Sequence, residues 1–232
     1  MKRACIGILT IATLISTAFA ETGEKERKRI ADSGQVLKEI LATPDKGIPN
    51  DLLSKAKCVV VLPSVKKAAL GVGGSYGRGT MTCRGGEGAK GAWSAPVMMA
   101  LEGGSIGFQI GGQATDFVIL VMNDKGADAI LKSKVKLGGD ASIAAGPVGR
   151  TAEASTSANM QAQMLSYSRS QGVFGGVSLA GSTLRSDDSA NEAVYGKKVS
   201  AQDILKGNGV TPPEEAKALT TPLKEQAQSA TK

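Results

Sequence analysis

One stretch constrains the fold more than any other: Trp93 to Gly112, WSAPVMMALEGGSIGFQIGG. From Ser105 onward Ile106, Phe108 and Ile110 fall on one side and Gly107, Gln109 and Gly111 on the other. A period of two is the signature of a strand with one buried face. Pro96 to Leu101 is a short apolar run, also strand-like, and Glu102-Gly103-Gly104 has the composition of a turn. The stretch predicts a hairpin with one apolar face and one nearly bare face. A bare glycine face admits a second backbone at close range or marks a strongly bent sheet. The same pattern recurs at Gly71–Arg84, Leu137–Gly149 and Gly172–Leu184. These regions predict an α+β fold built on a mainly antiparallel, strongly curved, glycine-rich β-sheet. The sheet should be barrel-like, with short helices flanking it.

Thirty glycines and an aromatic content of 3% mean that the core must come from Val, Ile, Leu, Ala and Met. The chain of 232 residues is long enough for a substantial core in one domain. It contains no histidine. That removes the usual general base for a serine or cysteine nucleophile and the commonest zinc ligand. Two cysteine thiols do not make a metal site, so neither metal nor cofactor is expected. A formal charge of +7 favours anionic partners. Nucleic acid is disfavoured, because it needs exposed aromatics interleaved with basic clusters and this chain has only three Tyr, four Phe and one Trp.

Met1–Ala20 reads as a secretory signal peptide: Lys2 and Arg3, an apolar core from Ile6 to Ile15, and Ala18-Phe19-Ala20 before Glu21. The expected location is the periplasm or the exterior. Cys58 and Cys83 then suggest one disulfide, each lying in a strand-like run. Two buried free thiols are the alternative.

Glu24–Leu41 has helical periodicity, with Ile30, Val36, Leu37, Ile40 and Leu41 near one face. Asp51–Lys57 is a second, short helix with Asn50 as its cap. Cys58–Leu62 is a continuous β-branched run, hence a buried strand, expected to stop at Pro63. Gly71–Arg84 has neither a phosphate-loop nor a dinucleotide-binding spacing. Thr115–Asn123 is a strand. Asp124–Ser133, Asp187–Tyr195 and Ser200–Leu205 are short helices, the first capped by Asn123 or Asp124. From Gly207 the composition turns polar, predicting a flexible tail over 207–232 behind a single domain at 21–206.

Several motifs, in order, resemble the SYLF domain family. They are Gly47-Ile48-Pro49, the strand ending Leu62-Pro63, Gly77-Arg78-Gly79, Trp93-Ser94-Ala95-Pro96 and Gly107-Phe108-Gln109-Ile110-Gly111. Gly146-Pro147-Val148-Gly149-Arg150, the run from Tyr167 to Gly176, and Asn191 to Tyr195-Gly196 complete the series. The resemblance spans about Ala31 to Leu205. It implies a mainly β domain with flanking helices that binds lipids and performs no catalysis.

Lys66, Lys67, Arg78 and Arg84 form the candidate lipid-binding set, because pairing of their strands would gather four cations at one rim. Arg150 and Arg169 read as structural salt bridges, and Trp93 as a core anchor in preference to a lipid contact. Asp116 and Asp140 are a nominal carboxylate pair, and Ser94, Ser166, Ser168 and Ser170 lack any histidine to activate them. The sequence thus predicts a non-enzymatic module for anionic phospholipid or a membrane surface. The alternative is an envelope module that docks a protein partner without lipid specificity.

Overall fold

A computed structural model describes residues 6–42, 47–70, 72–85, 91–106, 113–132, 134–148, 162–170 and 173–229. The chain opens with a long helix, α1 (Ile6–Leu41), then a short one, α2 (Asn50–Lys55). Two long strands follow, β1 (Cys58–Leu70) and β2 (Val72–Cys83), then β3 (Val97–Ile106) and β4 (Gln113–Val121). After α3 (Asp124–Lys132) come short strands β5 (Val135–Lys136) and β6 (Ile143–Ala145), then β7 (Met164–Ser170), β8 (Val173–Gly176) and β9 (Ser182–Ser186). Three helices close the chain: α4 (Asp188–Tyr195), α5 (Ala201–Lys206) and α6 (Lys217–Ser229). The sheet runs β5-β9-β3-β2-β1-β4-β7-β6, with β8 also on β7. It is curled into a half-barrel, and its pairings are antiparallel except β6 with β7. The predicted α+β class and curved antiparallel sheet are found.

The unbroken apolar run of β1 has a direct cause. Alternate residues serve two separate cores. Cys58, Val60 and Leu62 pack with Ile130 of α3 and Ile204 of α5 on one face. Val59 and Val61 pack with Ile30, Leu37 and Ile40 of α1, Leu52 and Leu53 of α2, and Leu219 and Leu223 of α6 on the other. A strand covered on both faces cannot alternate polar with apolar.

Four local expectations are corrected. The strand does not stop at Pro63: β1 continues to Leu70 through a bulge, where the register shifts and Ser64 takes φ +49°. A bulge is where a strand tolerates a residue with no N–H. Glu102-Gly103-Gly104 is not a turn, because β3 runs through it. The glycine there answers to packing, since a Cβ on Gly103 would lie 2.5 Å from Ser75 Oγ and 2.8 Å from Ser182 Oγ. Asn50 is not the cap of α2; Pro49 holds that position and no side chain caps it. The C-terminal segment is not a free tail. Ala216, Leu219 and Leu223 are buried, and α6 lies so close to α1 that a Cβ on Gly34 would sit 2.4 Å from Ala218 Cβ. Widely spaced apolar residues in a polar helix were enough to dock it.

The cap expected at Asn123 is found, and two further caps are seen. Gly126 N–H donates to Asn123 Oδ1 at 2.9 Å, and Asp187 and Ser200 cap α4 and α5. Cys58 and Cys83 are disulfide-bonded and sit opposite each other on β1 and β2. The strand expected at Gly107–Gly112 lies outside the described residues.

Candidate functional site

The bulge in β1 opens a groove between the sheet and α1, of about 530 Å³. Arg29, Asp32 and Val36 of α1 form one wall; Pro63, Lys66, Tyr76 and Arg78 form the other, and Asp116 and Arg169 close one end. Polar residues on α1 face this groove because its apolar stripe is already committed to the core.

Two arginines cross it in the same manner. Arg78 on β2 pairs with Glu26 of α1 at 3.1 Å and with Asp187, the cap of α4, at 2.6 Å. Arg169 on β7 pairs with Glu39 of α1 and, at 2.7 Å, with Asp116 of β4. Each guanidinium therefore lies between a carboxylate on α1 and one elsewhere in the fold. Glu26, only 2% exposed, also accepts from Arg29. A buried charge is tolerated only when paired in this way. Burial would push the Asp187 carboxyl up, but the hydrogen bond and charge of Arg78, with donors from Ser189 and Ala190, hold it below the usual carboxylate range. Burial, with the neighbouring Arg78 charge, lowers Arg29.

At the mouth of the groove Lys66 stands directly across from Tyr76. Lys66 is exposed and makes no ion pair among the described residues. Tyr76 is 49% exposed, the one large exposed apolar side chain among them. Nothing in the sequence singled out Tyr76, whose only signal was its place beside the small residues of GGSYGRG.

The four cations named from the sequence do not share one surface. Lys66 and Lys67 are adjacent on β1, the side chain of Lys67 lying outside the described residues. Arg78 borders the same groove, but its charge is spent on Glu26 and Asp187. Arg84 is at the far end of β2, roughly 26 Å from Tyr76 at about 3.3 Å per residue. There its guanidinium stacks 4.6 Å from the centre of the Trp93 ring and donates to the Ser54 carbonyl at 3.1 Å. Trp93 is buried, as a core anchor is, and Arg169 is a structural ion-pair residue. Arg150 and Phe108 lie outside the described residues.

Asp116, Asp140, Ser94 and Ser166 all make structural hydrogen bonds. Asp116 holds Arg169 and the Ser64 N–H, whereas Asp140 closes a turn by accepting from Lys136 N–H. Ser94 Oγ accepts from Cys83 N–H, and Ser166 Oγ donates to the carbonyl of Val177 at 2.5 Å. Tyr167 is fully buried, which raises its phenol pKa. Among the described residues no three acidic or thiol groups could hold a metal ion.

The fold is thus a curled sheet clasped by helices, with the groove's arginines tied in ion pairs and Lys66 and Tyr76 exposed at its mouth. Residues 102–226 match the family Ysc84, described as "Las17-binding protein actin regulator". The chain belongs to this family, the SYLF domain family. It is 38% identical over 168 residues to an SH3 domain-containing protein of Schizosaccharomyces pombe, covering 71% of this chain and 38% of that protein. It is 35% identical over 176 residues to human SH3 domain-containing YSC84-like protein 1, covering 73% and 48%. Identity to LAS seventeen-binding protein 3 of Saccharomyces cerevisiae is 36% over 172 residues, covering 73% and 37%. The chain spans half or less of the length of these relatives. Of these three names one, LAS seventeen-binding protein 3, describes a binding protein, and none names an enzyme.

Proposed function

We propose that this chain is a non-enzymatic lipid-binding module, exported to the periplasm or beyond, that engages anionic phospholipid headgroups at the mouth of the α1–β1–β2 groove. The observation that carries this is the contrast between Lys66 and the groove arginines. Arg78 and Arg169 are neutralised by carboxylates, whereas Lys66 is exposed and unpaired among the described residues, beside an exposed tyrosine. Lys67 follows it in the chain. A lysine near an anionic surface contributes about 1 kcal/mol, and an amphipathic aromatic suits the headgroup layer. Lipid binding is also what the SYLF resemblance implies.

The export reading rests on Lys2, Arg3, the apolar run Ile6–Ile15 and Ala18-Phe19-Ala20. Cleavage after Ala20 would leave α1 starting near Glu21 with its packing residues intact, from Gly23, which lies against the Ala193 carbonyl, to Ile40.

The test is co-sedimentation with phosphatidylglycerol vesicles. Lys66→Glu with Lys67→Glu is expected to abolish most binding, and added salt to weaken the parent. Equal binding by the double variant would remove these lysines from the site. A second reading, docking of a protein partner, is favoured by the family description, which names a Las17-binding protein. Retention of an envelope partner after delipidation would support it over the first.

A further inference from the structure

Arg169 reaches the groove with one edge fixed and the other edge exposed. Its Nε and Nη2 both donate to Asp116 Oδ2, at 3.1 and 2.7 Å. Asp116 is itself anchored, because its Oδ1 accepts the N–H of Ser64 at the β1 bulge. The remaining nitrogen, Nη1, meets Glu39 of α1. These two carboxylates differ in what they would lose by leaving. The Asp116 side chain is 16% exposed and that of Glu39 41%. Gln35, one turn back along α1, donates from Nε2 to Glu39 Oε1 at 2.6 Å. Glu39 therefore has water and a neighbouring amide as alternatives to Arg169, and an ion pair this exposed contributes little to stability.

The charges in the groove point the same way. Arg29 and Arg78 are answered by Glu26 and Asp187, and Asp32 is paired with Lys28. Lys66 and Arg169 are left against Asp116 and Glu39. With Glu39 turned in, the balance is neutral; with Glu39 turned out, one positive charge is in excess. Lys66 is near enough to share what replaces it. It stands opposite Ala114 on β4, two residues from Asp116, which is opposite Arg169 on β7, and both cations line the same groove. At about 3.3 Å per residue and 4.8 Å between strands, their Cα atoms are roughly 12 Å apart. A lysine and an arginine side chain close that gap from both sides onto one small anion.

We propose that Arg169 is the anion-holding residue of the groove and that Glu39 occupies the ligand's place in the empty protein. A phosphate ester entering past Lys66 displaces the Glu39 carboxylate from Nη1 and is held between Arg169 and Lys66. The idea rests on the lipid reading above and names the residue that grips the phosphate. A phosphate ester suits the position because its oxygens accept from guanidinium and ammonium alike, and it replaces the charge that Glu39 withdraws. Asp116 is a positioning residue, keeping the guanidinium in place while Glu39 leaves.

The experiment titrates glycerol 3-phosphate and, separately, phosphatidylglycerol vesicles into the parent, Glu39→Gln, Glu24→Gln and Arg169→Gln. Glu24 is exposed on the same helix, roughly 22 Å from Glu39 at 1.5 Å per residue, so its variant controls for the loss of one negative charge. Glu39→Gln removes the competitor and should bind about two- to fivefold more tightly than Glu24→Gln. Arg169→Gln should bind roughly tenfold more weakly than the parent. In the empty parent, the hydrogen bonds from Arg169 and Gln35 hold the Glu39 carboxyl below the usual carboxylate range. Saturating glycerol 3-phosphate should raise its midpoint in a carboxyl NMR titration. Binding by Glu39→Gln no tighter than by Glu24→Gln overturns the exchange; the lipid reading then stands if the parent still binds vesicles. A parent that binds neither ligand defeats both. The predicted pattern with glycerol 3-phosphate but no binding to vesicles supports the exchange, and assigns the site to a soluble phosphate ester against the lipid reading.

Discussion

Arg78 Nε lies 2.6 Å from Asp187 Oδ2, joining the middle of β2 to the first turn of α4. The same guanidinium holds Glu26 of α1, so one side chain ties three elements together. Removing it leaves the largely buried Asp187 without its ion-pair partner and Glu26 with Arg29 alone. Arg78→Ala is expected to cost about 3 kcal/mol, read as a lowered urea midpoint. Arg78→Lys should recover only part, since a single ammonium nitrogen replaces the planar fork that meets Glu26 through Nη1 and Asp187 through Nε.

The same contact sets an acid limit. The Asp187 carboxyl is held below its ordinary value in the folded protein, despite the opposing effect of burial. Its contribution is therefore complete above about pH 4, the unfolded value, and is lost as pH falls through the lower folded value. Stability measured from pH 5 to pH 2 should fall in that window. Asp187→Asn should start lower and fall less steeply.

The disulfide between Cys58 and Cys83 closes a loop of 25 residues across two adjacent strands. Reduction, or Cys58→Ser with Cys83→Ser, should cost about 3 kcal/mol on the chain-entropy view. Thermal melts with and without reductant measure it. An unchanged midpoint would show that the strand pairing needs no staple.

Gly34 has no room for a side chain, because Ala218 of α6 occupies that space. Gly34→Leu should lift α6 off α1 while leaving the sheet intact. Limited proteolysis reports it: cleavage within Lys217–Ser229 should become fast in the variant and stay slow in the parent. Equal rates would mean that α6 is not held there.

Trp93 should emit at short wavelength and resist acrylamide, being 8% exposed with Arg84 over its ring. Vesicles should leave its spectrum unchanged. A blue shift on lipid addition would instead make Trp93 a lipid contact.

The sheet was legible because strand periodicity and β-branched runs are local signals. Val59 to Leu62 reads as part of a buried strand from the sequence alone, and the cap at Asn123 is short-range chemistry. The failures share a cause: each needed a distant partner. Gly103 looked like a turn residue until Ser75 and Ser182 were found against it. Pro63 looked like a strand end until its neighbour Ser64 was found bonded to Asp116, 52 residues away. Leu219 and Leu223 looked too sparse to bury until α1 offered a groove at Gly34. For the site, Lys66 stands exposed at the mouth of the groove. Arg78 and Arg84 were grouped with it because spacing along a strand does not reveal that one arginine is spent on two carboxylates and the other lies at the opposite end.

The most direct test of the central claim is vesicle flotation of residues 21–232 across a series of phosphatidylglycerol contents and salt concentrations. Binding should rise with anionic lipid, fall as salt is added, and fall again with Lys66→Glu plus Lys67→Glu at constant fold. Recovery of the parent protein entirely in the lipid-free fraction at low salt would contradict a lipid-binding role for this surface.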